Sequence, residues 1–336
     1  MKASPKSILA VPTNIVTGFL GVGKTSAILH LLKNKPANER WAVLVNEFGE
    51  IGIDGRLIGG QLTNNQGVFI SEVPGGCMCC AAGVPMQVAL NQLLKHAKPD
   101  RLLIEPTGLG HPKEILQVLS ASHYQKILSL QKTVTLVDAR NLSDSRYTEH
   151  DIFNQQIAIA DIIVGNKVDL YNDKDKQQLT SYIKTHTQGH TEVVFSQRGE
   201  IPLELLAGTT FKNKVTPHSH HFHQHKTAKP LASNMPIPEC GFIKAVNQGE
   251  GFCSIGWRFS SDIVFNYAKL TLLLSTLKAE RIKAVFITDT GIVGYNITAD
   301  TLKEITLETC SESRIEIIAT ELDDELDAAI MACIAQ

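Results

Sequence analysis

Eight residues near the start of the chain, Gly18 to Thr25 (GFLGVGKT), fit the pattern G-x-x-x-x-G-K-[ST], and the fixed positions have chemical reasons. Gly18, Gly21 and Gly23 let the backbone curl until its N–H groups converge on phosphate oxygens. Val22 and Ser26 complete the loop, and the helix that follows adds its positive end. Lys24 reaches β and γ phosphates and is a catalytic candidate, while the Thr25 hydroxyl is placed to ligate Mg²⁺. A second catalytic and magnesium candidate is Glu105, at the end of the apolar run RLLIE and just before Pro-Thr-Gly. Asp138, ending TVTLVD, competes for that role. Glu105 is preferred because Gly108, three residues on, lets a backbone N–H approach a γ phosphate. A strand-end carboxylate that merely caps the next helix is the alternative.

Asn166, Lys167 and Asp169 (NKVD) follow a second apolar run, where a base would lie if its phosphates sat on the first loop. A carboxylate such as Asp169 accepts hydrogen bonds from guanine N1–H and its 2-amino group, and adenine has no such pair of donors. The Lys167 stem covers the ring. Cys77, Cys79 and Cys80 crowd into GGCMCC, and three close thiolates suit Zn²⁺, Co²⁺ or Cu⁺. No second pair is visible to close a structural site, so an open, exchangeable metal site is expected. A cysteine-rich turn or a redox pair is the alternative. Cys240, Cys253, Cys310 and Cys333 stand singly in apolar patterns and read as core. His218, His220, His221, His223 and His225 put five imidazoles into eight positions, too many for chance in a chain with 12 histidines in 336 residues. They suit metal collection at modest affinity; a solvated linker is the alternative.

The elements that must hold these groups alternate. Apolar, β-branched runs at 8–17, 41–47, 67–73, 101–106, 133–139, 161–167 and 191–196 are separated by helical spacing, as in Ile28, Leu29, Leu31 and Leu32 or over 86–96 and 113–121. That order predicts a doubly wound, mainly parallel α/β sheet over 1–211, with ligands beyond the carboxyl ends of the strands. Residues 212–238, rich in His, Pro, Lys and Ser, lack an apolar period and read as a linker. From 239 to 336, further strands, a helix over 261–279 and a helix over 322–334 predict an α+β domain with one antiparallel sheet on two helices. At ~150 residues per domain, 336 residues suit two. The net charge of −2 lacks the basic bias of nucleic-acid or acidic-membrane binders. No apolar run approaches ~18 residues, so a cytoplasmic protein is expected.

Taken together, GFLGVGKT, VNEFGEIGID, GGCMCC, EPTG, QQIAIADIIVGNKVDL and the histidine-rich stretch resemble the CobW-like P-loop GTPases, relatives of the urease and hydrogenase nickel-insertion GTPases. The resemblance implies GTP hydrolysis coupled to delivery of a metal, zinc or cobalt, held by the Cys-x-Cys-Cys group; because no arginine finger or glutamine equivalent is evident in the sequence, slow intrinsic turnover is expected until a partner docks. It also puts Thr25, Glu47, Asp54 and Glu105 on the magnesium and switch motifs. The expected partners are GTP, a transition metal, a client metalloprotein and, dependent on nucleotide, a second copy of the chain. A GTPase regulator or stress protein with structural cysteines, or a passive zinc buffer, is the alternative.

Overall fold

The computed structural model describes residues 8–48, 67–76, 84–187, 189, 191–210, 235–249, 251–298, 300–321, 323 and 325–335, with backbone only at 46–48, 74–76, 84, 247 and 249. The chain divides into two compact units, one carrying each of two sheets.

In the first unit β1 (Val11–Gly18) leads into α1 (Lys24–Lys33), followed by β2 (Trp41–Phe48), β3 (Val68–Gly76), α2 (Val84–Ala97), β4 (Arg101–Glu105) and α3 (Pro112–Leu119). Then come β5 (Leu128–Leu130), β6 (Val134–Val137), α4 (Ser145–Thr148), α5 (Asp151–Ile159), β7 (Ile162–Gly165), α6 (Asp173–His186) and β8 (Glu192–Phe195). The strand order is β3-β2-β4-β1-β6-β7-β8, with β5 beside the first half of β1. The pairs β2·β4, β1·β4, β1·β6, β6·β7 and β7·β8 are all parallel. In a parallel sheet every strand ends at the same edge, so Gly18, Glu105, Val137, Gly165 and Phe195 finish on one side. β1, β4, β6 and β7 are buried along almost their whole length, which is why they read as runs dominated by apolar and β-branched residues, although Thr13, Asn14, Thr17 and Thr135 are buried with them. The helical spacing in α1 also holds: Ile28, Leu29, Leu31 and Leu32 are all buried.

The second unit orders its strands β13-β12-β11-β14-β10-β9, and every neighbouring pair is antiparallel. They are β9 (Phe242–Gly249), β10 (Phe252–Phe259), β11 (Arg281–Thr288), β12 (Gly291–Thr298), β13 (Thr301–Leu307) and β14 (Ser313–Ala319), with α7 (Tyr267–Thr276) and α8 (Leu326–Met331). One face packs Ile255, Trp257, Phe259, Phe286 and Ile315 against Leu270, Leu274, Leu326 and Ile330 of the helices. On the other, register brings Arg258 opposite Arg314, and Arg258 and Arg314 both pair with Glu312.

Three sequence expectations change here. Helix α7 starts at Tyr267, not near 261, because Asn266 accepts from the Lys269 N–H as its cap and Phe265 is engaged in bridges to Thr288 and Ile334. Strand β13 was not foreseen, since an edge strand with Thr301 to Glu304 exposed has little apolar signal to show. Cys240 is exposed rather than core: it lies in the turn closed by Gly241 N–H to Pro238 O, before β9 begins.

Candidate nucleotide site

The site is built at the carboxyl edge of the parallel sheet. After β1 the chain turns through Gly18, Gly21 and Gly23 at φ 144°, 69° and 99°, angles open to glycine but strained for other residues. Gly23 stands at the N-cap of α1 in the left-handed region and makes no side-chain cap hydrogen bond. The positive end of the helix thus begins at the phosphate loop, the place where a helix suits an anion. Lys24, 6% exposed, folds back so that Nζ donates to Gly18 O at 2.9 Å and Phe19 O at 3.0 Å. Burial leaves the ammonium little water, and the loop carbonyls supply the acceptors instead.

Next to it, Thr25 Oγ1 donates to Glu105 Oε1 at 3.0 Å, and Glu105 is only 2% exposed. Parallel pairing of β1 with β4 brings these residues, eighty positions apart in sequence, into contact. A hydroxyl and a carboxylate side by side form the hard oxygen donor set that suits Mg²⁺. Gly108 lies against the same loop: a Cβ there would come within 3.0 Å of Lys24 Nζ and Leu20 N. Asp138 is engaged elsewhere. Its carboxylate accepts from Arg140 Nε and Nη2 at 3.0 and 2.6 Å, caps the short 3-10 turn Ala139–Ser143 and lies 3.5 Å from Lys167 Nζ.

That ion pair belongs to the base side of the site. Lys167 sits in the left-handed region at φ 63°, immediately after β7, and Asp169 is exposed in the next turn. Asn166, 2% exposed, ties three loops together. Its Nδ2 donates to Val22 O at 2.8 Å, its Oδ1 accepts from Gly199 N–H at 3.0 Å, and its own N–H donates to Val137 O. Tyr171 adds a further tie, accepting from Ala139 N–H at 2.7 Å. Burial pushes its hydroxyl far above the usual tyrosine range, so it stays neutral at any working pH.

Sequence reasoning passed over the loop after β8, Ser196 to Glu200. Val168 N–H donates to Ser196 O, and Gly199, at φ 74°, lies so close to α1 that a Cβ would meet Ala27 N at 2.5 Å. A glycine four residues past a strand end at this edge was the available signal. Asp54, Cys77, Cys79, Cys80, His218, His220, His221, His223 and His225 lie outside the described residues, and of Glu47 only the backbone, in β2, is described. β3 ends at Gly76, the residue before Cys77.

A family model described as "CobW/HypB/UreG, nucleotide-binding domain" matches residues 12–195, from β1 to the end of β8. The chain belongs to this family. Its CobW/HypB/UreG span contains the phosphate loop, Glu105 and Asn166 to Asp169, and stops just short of the Ser196 to Glu200 loop. Beyond that span, the chain is 42% identical over 315 residues to the zinc chaperone YeiR of Escherichia coli K12, covering 93% of this chain and 94% of that one. It is 34% identical over 207 residues to the zinc chaperone YjiA of the same organism, covering 59% and 61% of the two chains. The zinc chaperone CobW of Pseudomonas aeruginosa is 30% identical over 230 residues, covering 60% and 61%.

Proposed function

We propose that this protein is a GTP-hydrolysing zinc chaperone, in which nucleotide controls a cysteine metal site that passes zinc to a client metalloprotein. The observation that carries the nucleotide half is the contact of Thr25 with Glu105 beside the buried Lys24, where the phosphate loop enters α1. Phosphates bind at the positive end of α1 and on the Lys24 ammonium, which trades loop carbonyls for phosphate oxygens. Thr25 and Glu105, with Glu47 or Asp54, would hold Mg²⁺, which when bound would supply positive charge against the phosphates. Glu105, carried at the end of β4, also orients the attacking water. Asp169 reads guanine, and Lys167, fixed by Asp138, covers the ring. No arginine finger or glutamine equivalent is evident in the sequence, which supports slow turnover until a partner docks.

Zinc as cargo is supported by the printed names of the relatives and by the donor set of Cys77, Cys79 and Cys80, three thiolates with room for a fourth ligand. These cysteines stand in sequence between Glu47 and Glu105, the two segments expected to sense the γ phosphate. Ordering of those segments by GTP changes the thiolate geometry, and hydrolysis undoes it. His218, His220, His221, His223 and His225 collect metal for transfer to the cysteines, and a second copy of the chain is a nucleotide-dependent partner.

The test is a competition titration of Zn²⁺ on the full chain, with a non-hydrolysable GTP analogue and then with GDP. An affinity ratio of about tenfold or more, equal to some 1.4 kcal/mol of coupling, is expected. Replacing Cys77, Cys79 and Cys80 together by serine abolishes that difference. Equal affinity in both nucleotide states refutes the coupling, and zinc binding unchanged by the triple substitution refutes the site.

A further inference from the structure

Helix α5 buries Ile152, Phe153, Ile157 and Ile159, and among these apolar side chains it buries one amide, Gln156, which is 1% exposed. Gln156 Nε2 donates to Gly108 O at 2.9 Å, while its main-chain oxygen accepts from Thr135 Oγ1 at 3.0 Å. The residue therefore ties the helix both to β6 and to the segment between β4 and α3. The other half of the amide is not satisfied: Oε1 is buried with no hydrogen-bond partner among the described residues. Burying an acceptor without a donor costs free energy that an apolar side chain of the same size would avoid.

Gly108 is held from one direction only. Its carbonyl is taken by Gln156, whereas the next N–H, that of Leu109, reaches Thr107 Oγ1 at 3.4 Å, the outer limit of a hydrogen bond. Glycine at 108 allows the backbone more conformations than any other residue would, and it lies against Lys24 Nζ and Leu20 N, where a Cβ would intrude. The terminal torsion of a glutamine is broad and two-fold, so exchanging Nε2 for Oε1 at the same place costs little rotamer energy.

We propose that the Gln156 carboxamide is a two-position latch on the Glu105 to Leu109 segment, an assignment that rests on the GTP-binding reading above. In the state seen here Gln156 donates to the Gly108 carbonyl. When the segment rearranges so that the Gly108 N–H faces a γ phosphate beside Lys24, the Gly108 carbonyl leaves and the Leu109 N–H turns inward to Oε1. The acceptor that is unsatisfied in one state is satisfied in the other, and Gln156 acts as a positioning residue that sets the balance between them.

Gln156→Glu separates the two positions by pH. A protonated carboxyl group still donates to Gly108 O, whereas a carboxylate only accepts, which disfavours the present state and favours the other. Affinities of the full chain for GDP and for β,γ-imido-GTP are measured between pH 6 and 9 in wild type, Gln156→Glu and Gln156→Met. The quotient of the two affinities, normalised to wild type at each pH, is expected to move toward the triphosphate by about threefold to tenfold as pH rises in Gln156→Glu, the worth of one neutral hydrogen bond. In Gln156→Met it stays flat with pH. Hydrogen exchange of the Leu109 amide in wild type is expected to slow with β,γ-imido-GTP relative to GDP. A pH-independent quotient in a folded Gln156→Glu protein overturns the latch. Should that variant fail to fold, equal Leu109 exchange in the two nucleotide states overturns it. Failure of wild type to bind either nucleotide overturns the proposed function and the latch together.

Discussion

Replacing Asn166 by alanine removes both side-chain bonds of a residue that spans the phosphate loop, the strand end at Val137 and the loop at Gly199. Two partners are left behind, the Val22 carbonyl and the Gly199 N–H, and both lie in buried residues. Each unsatisfied buried group costs ~1–3 kcal/mol, and partial entry of water into the gap left by the amide brings the sum to about 2–4 kcal/mol. Asn166→Asp does no better, because a carboxylate keeps the Gly199 bond and sets negative charge against Val22 O. The chain has two tryptophans, Trp41 buried in the first unit and Trp257 in the second, so a Trp257→Phe background makes Trp41 fluorescence report the first unit alone. Urea unfolding of the nucleotide-free protein in that background, with and without Asn166→Ala, gives the difference directly. A loss below about 1 kcal/mol would mean the staple is not needed to hold the loops, and the reasoning fails.

Asp169→Asn tests the base reading. Asp169 is exposed, so stability changes by no more than ~0.5 kcal/mol, while nucleotide preference moves from guanine to xanthine, whose 2-oxo group accepts from the new amide. Unaltered guanine preference in a nucleotide competition assay refutes the role. Gly108→Ala sets a Cβ 2.9 Å from Leu20 Cδ2 and 3.0 Å from Leu20 N and Lys24 Nζ. Overpacking of this kind costs about 1–3 kcal/mol, and because Lys24 is displaced the triphosphate loses more affinity than the diphosphate; equal affinities to wild type would refute the contact. In the second unit, burial works to raise the Glu312 pKa, but the Arg258 hydrogen bond and the charges of Arg314 and Arg258 outweigh it and hold the carboxyl below its usual range. A carboxyl depressed in the folded state stabilises fully above its unfolded pKa of about 4.3, and that stability is lost as pH falls through the folded value. Acid unfolding followed by Trp257 in a Trp41→Phe background should therefore lose part of its limb below about pH 4.3 in Glu312→Gln, which is also less stable at pH 7. An unchanged acid limb contradicts the assignment.

The sequence by itself determined the kind of chemistry and the order of elements. GFLGVGKT and NKVD are local: each works through consecutive backbone and side-chain groups, so spacing alone carries the meaning. The buried strands are legible too, because a strand covered on both faces is mostly apolar and β-branched. What the sequence left open were relations between distant residues. Glu105 and Asp138 both end apolar strands with a carboxylate, and nothing local separates them. Strand order does: β4 lies beside β1 and delivers Glu105 to Thr25, whereas β6 and β7 deliver Asp138 to Lys167. NKVD puts Asn166 at the nucleotide but does not show that it also staples the loops at Val22 and Gly199, and nothing local shows that Gln156 is bonded to Gly108. Edge strand β13 and the cap that shortens α7 were hidden for a related reason, since exposed pairing and side-chain caps leave no apolar period. Periodicity records which side of an element is buried; it does not record which partner buries it, and at this site the partner decides the role.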